Sequence, residues 1–238
     1  MAREFTVKRR VWLSMAALAG LMAIDSPSWG TFPFSLPGGT TMITVPVTSF
    51  VELRYKNMVR QSNDVSCGAA ALATILDYFY DETVTEESLM IDIMRTLPHV
   101  TDKDKIEKEG FSLLELKRYA EGLGYVSNGY RLDDVQRLAR LPVPVIALVN
   151  VRGYNHFVVI KGVLEGKVYL ADPAFGNSTR PVEGFGQEWN GIVLVILHPT
   201  KEGNSTFAMD ARPTAPRNQV LSILERLAPA VRPGPGEF

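Results

Sequence analysis

The chain predicts an α+β fold, with an N-terminal helical part packed on an antiparallel sheet, and three observations carry the prediction. Up to about residue 141, apolar residues recur at helical spacing behind recognisable helix starts. Beyond that point the period changes. V-I-A-L-V-N-V (145–151), H-F-V-V-I-K-G-V (156–163), K-V-Y-L-A-D (167–172) and I-V-L-V-I-L-H (192–198) read as strands, with Gly or Asn between them. Helices first and a meander of strands afterwards argue for segregated layers rather than alternating βαβ units.

Taken in order, residues 1–30 read as an address. Arg3, Lys8, Arg9 and Arg10 precede an apolar stretch from Val11 to Ile24, too short for a comfortable membrane span, and Ser28-Trp29-Gly30 offers small residues for cleavage. A secretory signal peptide is the expectation, with an uncleaved anchor as its alternative. Residues 31–54 form an N-terminal extension, in which a turn at Pro37-Gly38-Gly39 leads into an edge strand that tolerates Pro46. A mostly apolar helix is expected over Cys67–Tyr80, buried on most faces, with Asp64 or Ser66 as its cap. Thr83-x-x-Glu86 and Ser112-x-x-Glu115 are capping boxes for helices near 86–95 and 113–122, the second ended by Gly122 and Gly124. A short helix follows from Asp133 to Leu141, stopped by Pro142 and Pro144. Residues 101–109, with charges of both signs, read as a solvated loop. In the region 201–238, Val220, Leu221, Leu224 and Leu227 share a face of a peripheral helix, and the Pro- and Gly-rich end reads as a disordered tail.

Composition narrows the function. The net charge is −1, and without residues 1–30 the remainder carries about −3, which argues against nucleic acid or an anionic membrane surface as partner. About two hundred residues suffice for one core of ordinary size. The single cysteine, Cys67, forms no internal disulfide, and with three scattered histidines it offers no metal-ligand spacing, so neither metal nor other cofactor is expected.

Cys67 heads its helix, where unpaired N–H groups favour thiolate over thiol. His156 opens an apolar strand, and Asp172 stands before Pro173. Each alone is an ordinary residue for its place: a buried thiol, a core imidazole, a turn starter. In this order, with Gln61 just ahead of the thiol, they form the set a cysteine nucleophile needs.

The run R-Q-S-N-D-V-S-C-G-A-A-A-L-A-T-I-L (60–76) resembles the nucleophile motif of the bacteriocin-processing peptidases, papain-like cysteine peptidases that cut after double-glycine leaders. G-Y-N-H-F-V-V-I-K-G-V and V-Y-L-A-D-P-A-F-G resemble that family's histidine and aspartate motifs. G-F-S-L-L-E-L and L-P-V-P-V-I-A-L match its intervening order. The resemblance runs from about residue 55 to 198 and implies a papain-like peptidase domain over residues 55–200. It implies Cys67 as nucleophile, His156 as general base, Asp172 as its orienting acid, and Gln61 with the Cys67 N–H as the oxyanion hole. The membrane spans and nucleotide-binding domain of the processing transporters have no counterpart here, so ATP use is not implied. Ser66 also stands where transporter members usually have aspartate.

The expectation is therefore an exported, stand-alone cysteine peptidase in the periplasm or cell envelope of a bacterium. Its partner would be a polypeptide substrate, either a double-glycine leader precursor or a pilus or envelope protein. Membrane contact would come only through an uncleaved N-terminal segment. The chain's own Gly38-Gly39 reads as a turn before it reads as a self-processing site. A non-catalytic peptide-binding or assembly module of the same fold, and acyl transfer to an amine, are the alternatives.

One geometric obstacle is visible in advance. A two-residue turn at Glu165-Gly166 pairs Leu164 with Lys167 and so Val159 with Asp172. Val159 lies three residues beyond His156 and faces the other side of the sheet. Bringing His156 and Asp172 together requires a bulge, another register, or a carboxylate swinging off the strand end.

Overall fold

The computed structural model describes residues 29–36, 39–96, 103–207 and 217–227. Of the proposed address in residues 1–30, all but Trp29 and Gly30 lie outside them, as do Pro37 and Gly38 of the expected turn and the expected tail. The chain divides into two compact units, Met1–Thr48 and Ser49–Phe238. In the first, β1 (Trp29–Leu36) pairs antiparallel with β2 (Gly39–Pro46), Leu36 opposite Gly39. The expected edge strand is thus one arm of a hairpin. A two-stranded ribbon leaves each strand one free side, which accommodates Pro33 as well as Pro46.

The second unit opens with α1 (Phe50–Arg54), started by a Ser49–Glu52 capping box. The expected long helix follows as α2 (Cys67–Thr74), continued by a π-helical turn over Ile75–Phe79. Every residue of α2 is buried, so small side chains are needed to let it approach the sheet. Gly68 shows why. A Cβ there would stand 3.1 Å from the Phe157 ring and 3.3 Å from Leu116. Ser66 is the N-cap residue, but its side chain does not cap the helix; its Oγ donates to the Asn63 carbonyl at 2.7 Å and accepts from the Asn63 N–H at 3.2 Å.

Helices α3 (Glu86–Thr96), α4 (Lys103–Glu109) and α5 (Leu113–Gly122) complete the helical part. The Ser112–Glu115 box forms as expected, and α5 ends through Gly124 at φ +90°. Two expectations need correction. The box at α3 is made by Thr85 and Ser88, whose side chains and N–H groups bond reciprocally, leaving Glu86 for another use. The charged segment expected as a loop is helical from Lys103, because Ile106 is buried against the core and anchors one face.

The sheet has six strands in the order β3-β8-β4-β5-β6-β7. These are β3 (Val126–Arg131), β4 (Val145–Val151), β5 (Tyr154–Leu164), β6 (Lys167–Asp172), β7 (Gly176–Pro181) and β8 (Trp189–Leu197). β4 to β6 form the first three strands of the expected meander, but its fourth strand, β8, leaves it, and the sequence marked neither β3 nor the edge strand β7; every neighbouring pair is antiparallel. β8 returns to sit between β3 and β4. The short helix expected over Asp133 to Leu141 is a 3₁₀ turn between β3 and β4, Val135–Arg140, capped by Asp134. α6 (Val182–Glu188) joins β7 to β8, and α7 (Arg217–Leu227) buries Val220, Leu224 and Leu227. The Tyr80 hydroxyl, at the end of the π turn, donates to the Ile196 carbonyl of β8 at 2.8 Å and ties helices to sheet.

Candidate active site

The obstacle at the β5–β6 hairpin is resolved by a bulge. Leu164 pairs with Lys167 and Gly162 with Tyr169, but Ile160 pairs with Leu170 and Val159 with Ala171. Lys161 is the extra residue. Continuing the shifted register places Asp172 opposite Val158, on the face that His156 shares two residues earlier. Lys161 is held by its own contacts, with Nζ 3.4 Å from Asn177 Oδ1 and 4.6 Å from the Phe207 ring centre.

His156 and Asp172, buried at 2% and 4% exposure, meet at 2.7 Å between Nε2 and Oδ1. An ionised carboxylate only accepts, so the proton of this bond belongs to Nε2. The same Oδ1 accepts the Ala174 and Phe175 N–H groups at 2.9 and 3.0 Å, which fixes the carboxylate to the turn beyond β6. Nδ1 is left as the ring's second nitrogen, buried and without a hydrogen bond of ordinary geometry. Cys67, first residue of α2, is the neighbour whose sulfur raises the ring's proton affinity. Such nucleophile–base contacts are commonly loose before substrate binds.

The charge balance favours an imidazolium. Burial is the largest influence on His156 and lowers its pKa. The Asp172 hydrogen bond, then the Cys67 interaction, then the charges of both outweigh it and push the pKa up to about 9.

Gln61 reaches the same place through its backbone, its N–H donating to the Pro173 carbonyl at 3.1 Å. Its side chain stays within its own loop, Nε2 donating to the Asn63 carbonyl at 3.0 Å, while Oε1 is buried without a partner. Cys67, His156 and Asp172 are thus gathered directly, and Gln61 through the turn that carries Asp172.

A cavity of about 390 Å³ opens beside Cys67, lined by Val65, Phe111, Leu148 and Phe157 among others. Sequence reasoning missed its polar strap: the Tyr154 hydroxyl donates to the Asp64 carbonyl at 2.8 Å, joining β5 to the loop before Cys67. Tyr154 stacks at 6.1 Å from His156, and Phe175 meets the ring edge-on at 6.2 Å. Strand alternation could have found Tyr154, which lies two residues before His156 and hence on its face.

The arrangement can form an acyl-thioester and release it. Comparison with known proteins agrees. The family model described as "Peptidase C39 family" matches residues 55–201. The chain is 39% identical over 183 residues to the "Probable functional amyloid protease FapD" of Pseudomonas fluorescens, covering 76% of this chain and 79% of that one. It is 37% identical over 189 residues to the protein of the same name from Pseudomonas aeruginosa, covering 79% and 80%. Among solved structures, the peptidase domain of Streptococcus ComA, a bi-functional ABC transporter, superposes with a TM-score of 0.50. It is 21% identical, over 60% of this chain and 99% of that domain, a likeness of fold. With the family model spanning well over half its length, the chain belongs to the peptidase C39 family: it is a cysteine peptidase with helices packed on a six-stranded antiparallel sheet.

Proposed function

We propose that this peptidase is exported and hydrolyses peptide bonds of a secreted or envelope polypeptide. Cys67 is the nucleophile, His156 the general base and acid, Asp172 its orienting group, and Gln61 with the Cys67 N–H the oxyanion hole. The observation that carries the roles is the His156 Nε2–Asp172 Oδ1 bond at 2.7 Å, which commits one ring nitrogen to the carboxylate and leaves Nδ1 for the thiol.

The thiolate adds to the scissile carbonyl carbon, and the electron pair moves to the carbonyl oxygen, where the amide donors meet it. As the tetrahedral adduct collapses, the C–N bond breaks and imidazolium gives its proton to the departing amine. Water then attacks the thioester, His156 takes its proton, and the C–S bond breaks to release the carboxylic acid. Asp172 accepts from Nε2 throughout and keeps Nδ1 as the working nitrogen.

The basic start and short apolar stretch of residues 1–30 support export to the periplasm or envelope. The names of the two Pseudomonas relatives support an amyloid-forming polypeptide as the substrate class. The test is cleavage of exported amyloid-forming polypeptides from the same cell by the purified protein, with fragments mapped by mass spectrometry. Defined cuts by the wild type and none by Cys67→Ala are expected. Equal cutting by both proteins, or none by either on any such polypeptide, would overturn the reading.

A further inference from the structure

Glu86 is 7% exposed, and its carboxylate is spent on one residue. Oε1 accepts the Ser62 N–H at 2.9 Å, and Oε2 accepts the same N–H at 3.1 Å and the Ser62 hydroxyl at 2.7 Å. Among the described residues no cation forms an ion pair with it. A buried carboxylate is costly to keep, and here the start of α3 and the Ser62 donors are what offset that cost. Helix capping does not explain it, because Thr85 and Ser88 cap α3 between themselves.

Ser62 directly follows Gln61. The Gln61 N–H is fixed by the Pro173 carbonyl, and the Gln61 amide is oriented by the Asn63 carbonyl, which also accepts from Ser66 beside Cys67. The Asn63 side chain in turn donates to the Ser62 hydroxyl at 3.1 Å. Ser62 is therefore the hinge between two residues that aim the amide, and the grip on that hinge comes from α3.

We propose that Glu86 is a positioning residue: by clamping Ser62 it holds the Gln61 amide where the tetrahedral oxyanion forms. The proposal rests on the oxyanion role given to Gln61 above. Glu86 touches no reacting atom. Its removal acts on transition-state stabilisation and leaves both the thiol–imidazole pair and ground-state binding as they are.

The experiment measures kcat, KM and Cys67 alkylation rate for Glu86→Ala, Glu86→Gln, Ser62→Ala and Gln61→Ala, and for each of the first three combined with Gln61→Ala. Glu86→Ala is expected to lower kcat about tenfold at unchanged KM and alkylation rate, since a misplaced donor costs rate rather than binding. Glu86→Gln, which can still accept from the Ser62 N–H, should recover most of that loss. Ser62→Ala should lose kcat in the same direction by a smaller factor. On the Gln61→Ala background none of the three should lower kcat further. A further loss there, or an unchanged kcat in Ser62→Ala, overturns the clamp; the latter result stands even where Glu86→Ala does not fold. A Gln61→Ala variant with wild-type kcat instead removes the oxyanion role itself, and the clamp with it.

Discussion

His156 owes its character to position. Buried imidazole ordinarily prefers to be neutral, yet the Asp172 carboxylate and Cys67 sulfur reverse that preference and bring its pKa to about 9. The folded pKa lies above the ordinary value of 6.5, so the protonated ring stabilises the fold fully below about pH 6.5. That contribution is lost as pH rises through about 9. The same proton serves the leaving amine, so kcat/KM should fall on the alkaline side with an apparent pKa near 9 belonging to the coupled pair. Asp172→Asn keeps an acceptor but removes the charge. A pH–rate profile should show its alkaline limb displaced downward, and urea titrations should show less loss of stability between pH 6.5 and 9 than in wild type. An alkaline limb identical in the two proteins would contradict this account of the imidazolium.

Single elements carry the geometry that brings distant residues together. Turn arithmetic together with the triad left three solutions, another register, a carboxylate swinging off the strand end, or a bulge, and the structure uses a bulge in β5. Its place at Lys161 did not follow, because it depends on Asn177 and Phe207, contacts that sequence proximity does not reveal. Deleting Lys161 should make the ladder regular while keeping Ile160 opposite Leu170, and hence Asp172 opposite Val158 on the face of His156. Activity should then stay within about tenfold of wild type, well short of the roughly hundredfold cost of misplacing a catalytic group. Circular dichroism should show the strands retained, and a loss of about a hundredfold or more in the folded deletion would sink the bulge argument. Other elements were harder to read. β7 (G-N-S-T-R-P) is a polar edge strand with no hydrophobic alternation, and α4 buries Ile106 amid a run of charged residues. Thr83 and Thr85 both precede a plausible partner, so propensity could not choose between two caps for α3.

At the scale of the whole molecule, the order of helices then strands was legible because local turns and periodicity specify hairpins and helices one by one. The return of β8 between β3 and β4 was not, since pairing across forty residues or more leaves no local mark. Cys67, His156 and Asp172 were legible by residue type and motif context, whereas Tyr154, Phe175 and Glu86 matter only through where the fold puts them. Stability and chemistry should also separate at this scale. Tyr80→Phe removes the bond from the helical layer to β8 far from the thiol. It should destabilise the protein by about 1 kcal/mol in chemical denaturation while leaving the Cys67 alkylation rate unchanged. A slowed alkylation rate would show that this tie also governs the site.

The most direct test of the central claim is the rate of Cys67 alkylation by iodoacetamide at mildly acidic pH, in native protein, in urea-unfolded protein and in native His156→Ala. The thiol–imidazole pairing requires the native rate to exceed that of a free thiol, and both unfolding and loss of the ring to abolish the excess. A native thiol no faster than a free one, or one whose excess reactivity survives without His156, would contradict it.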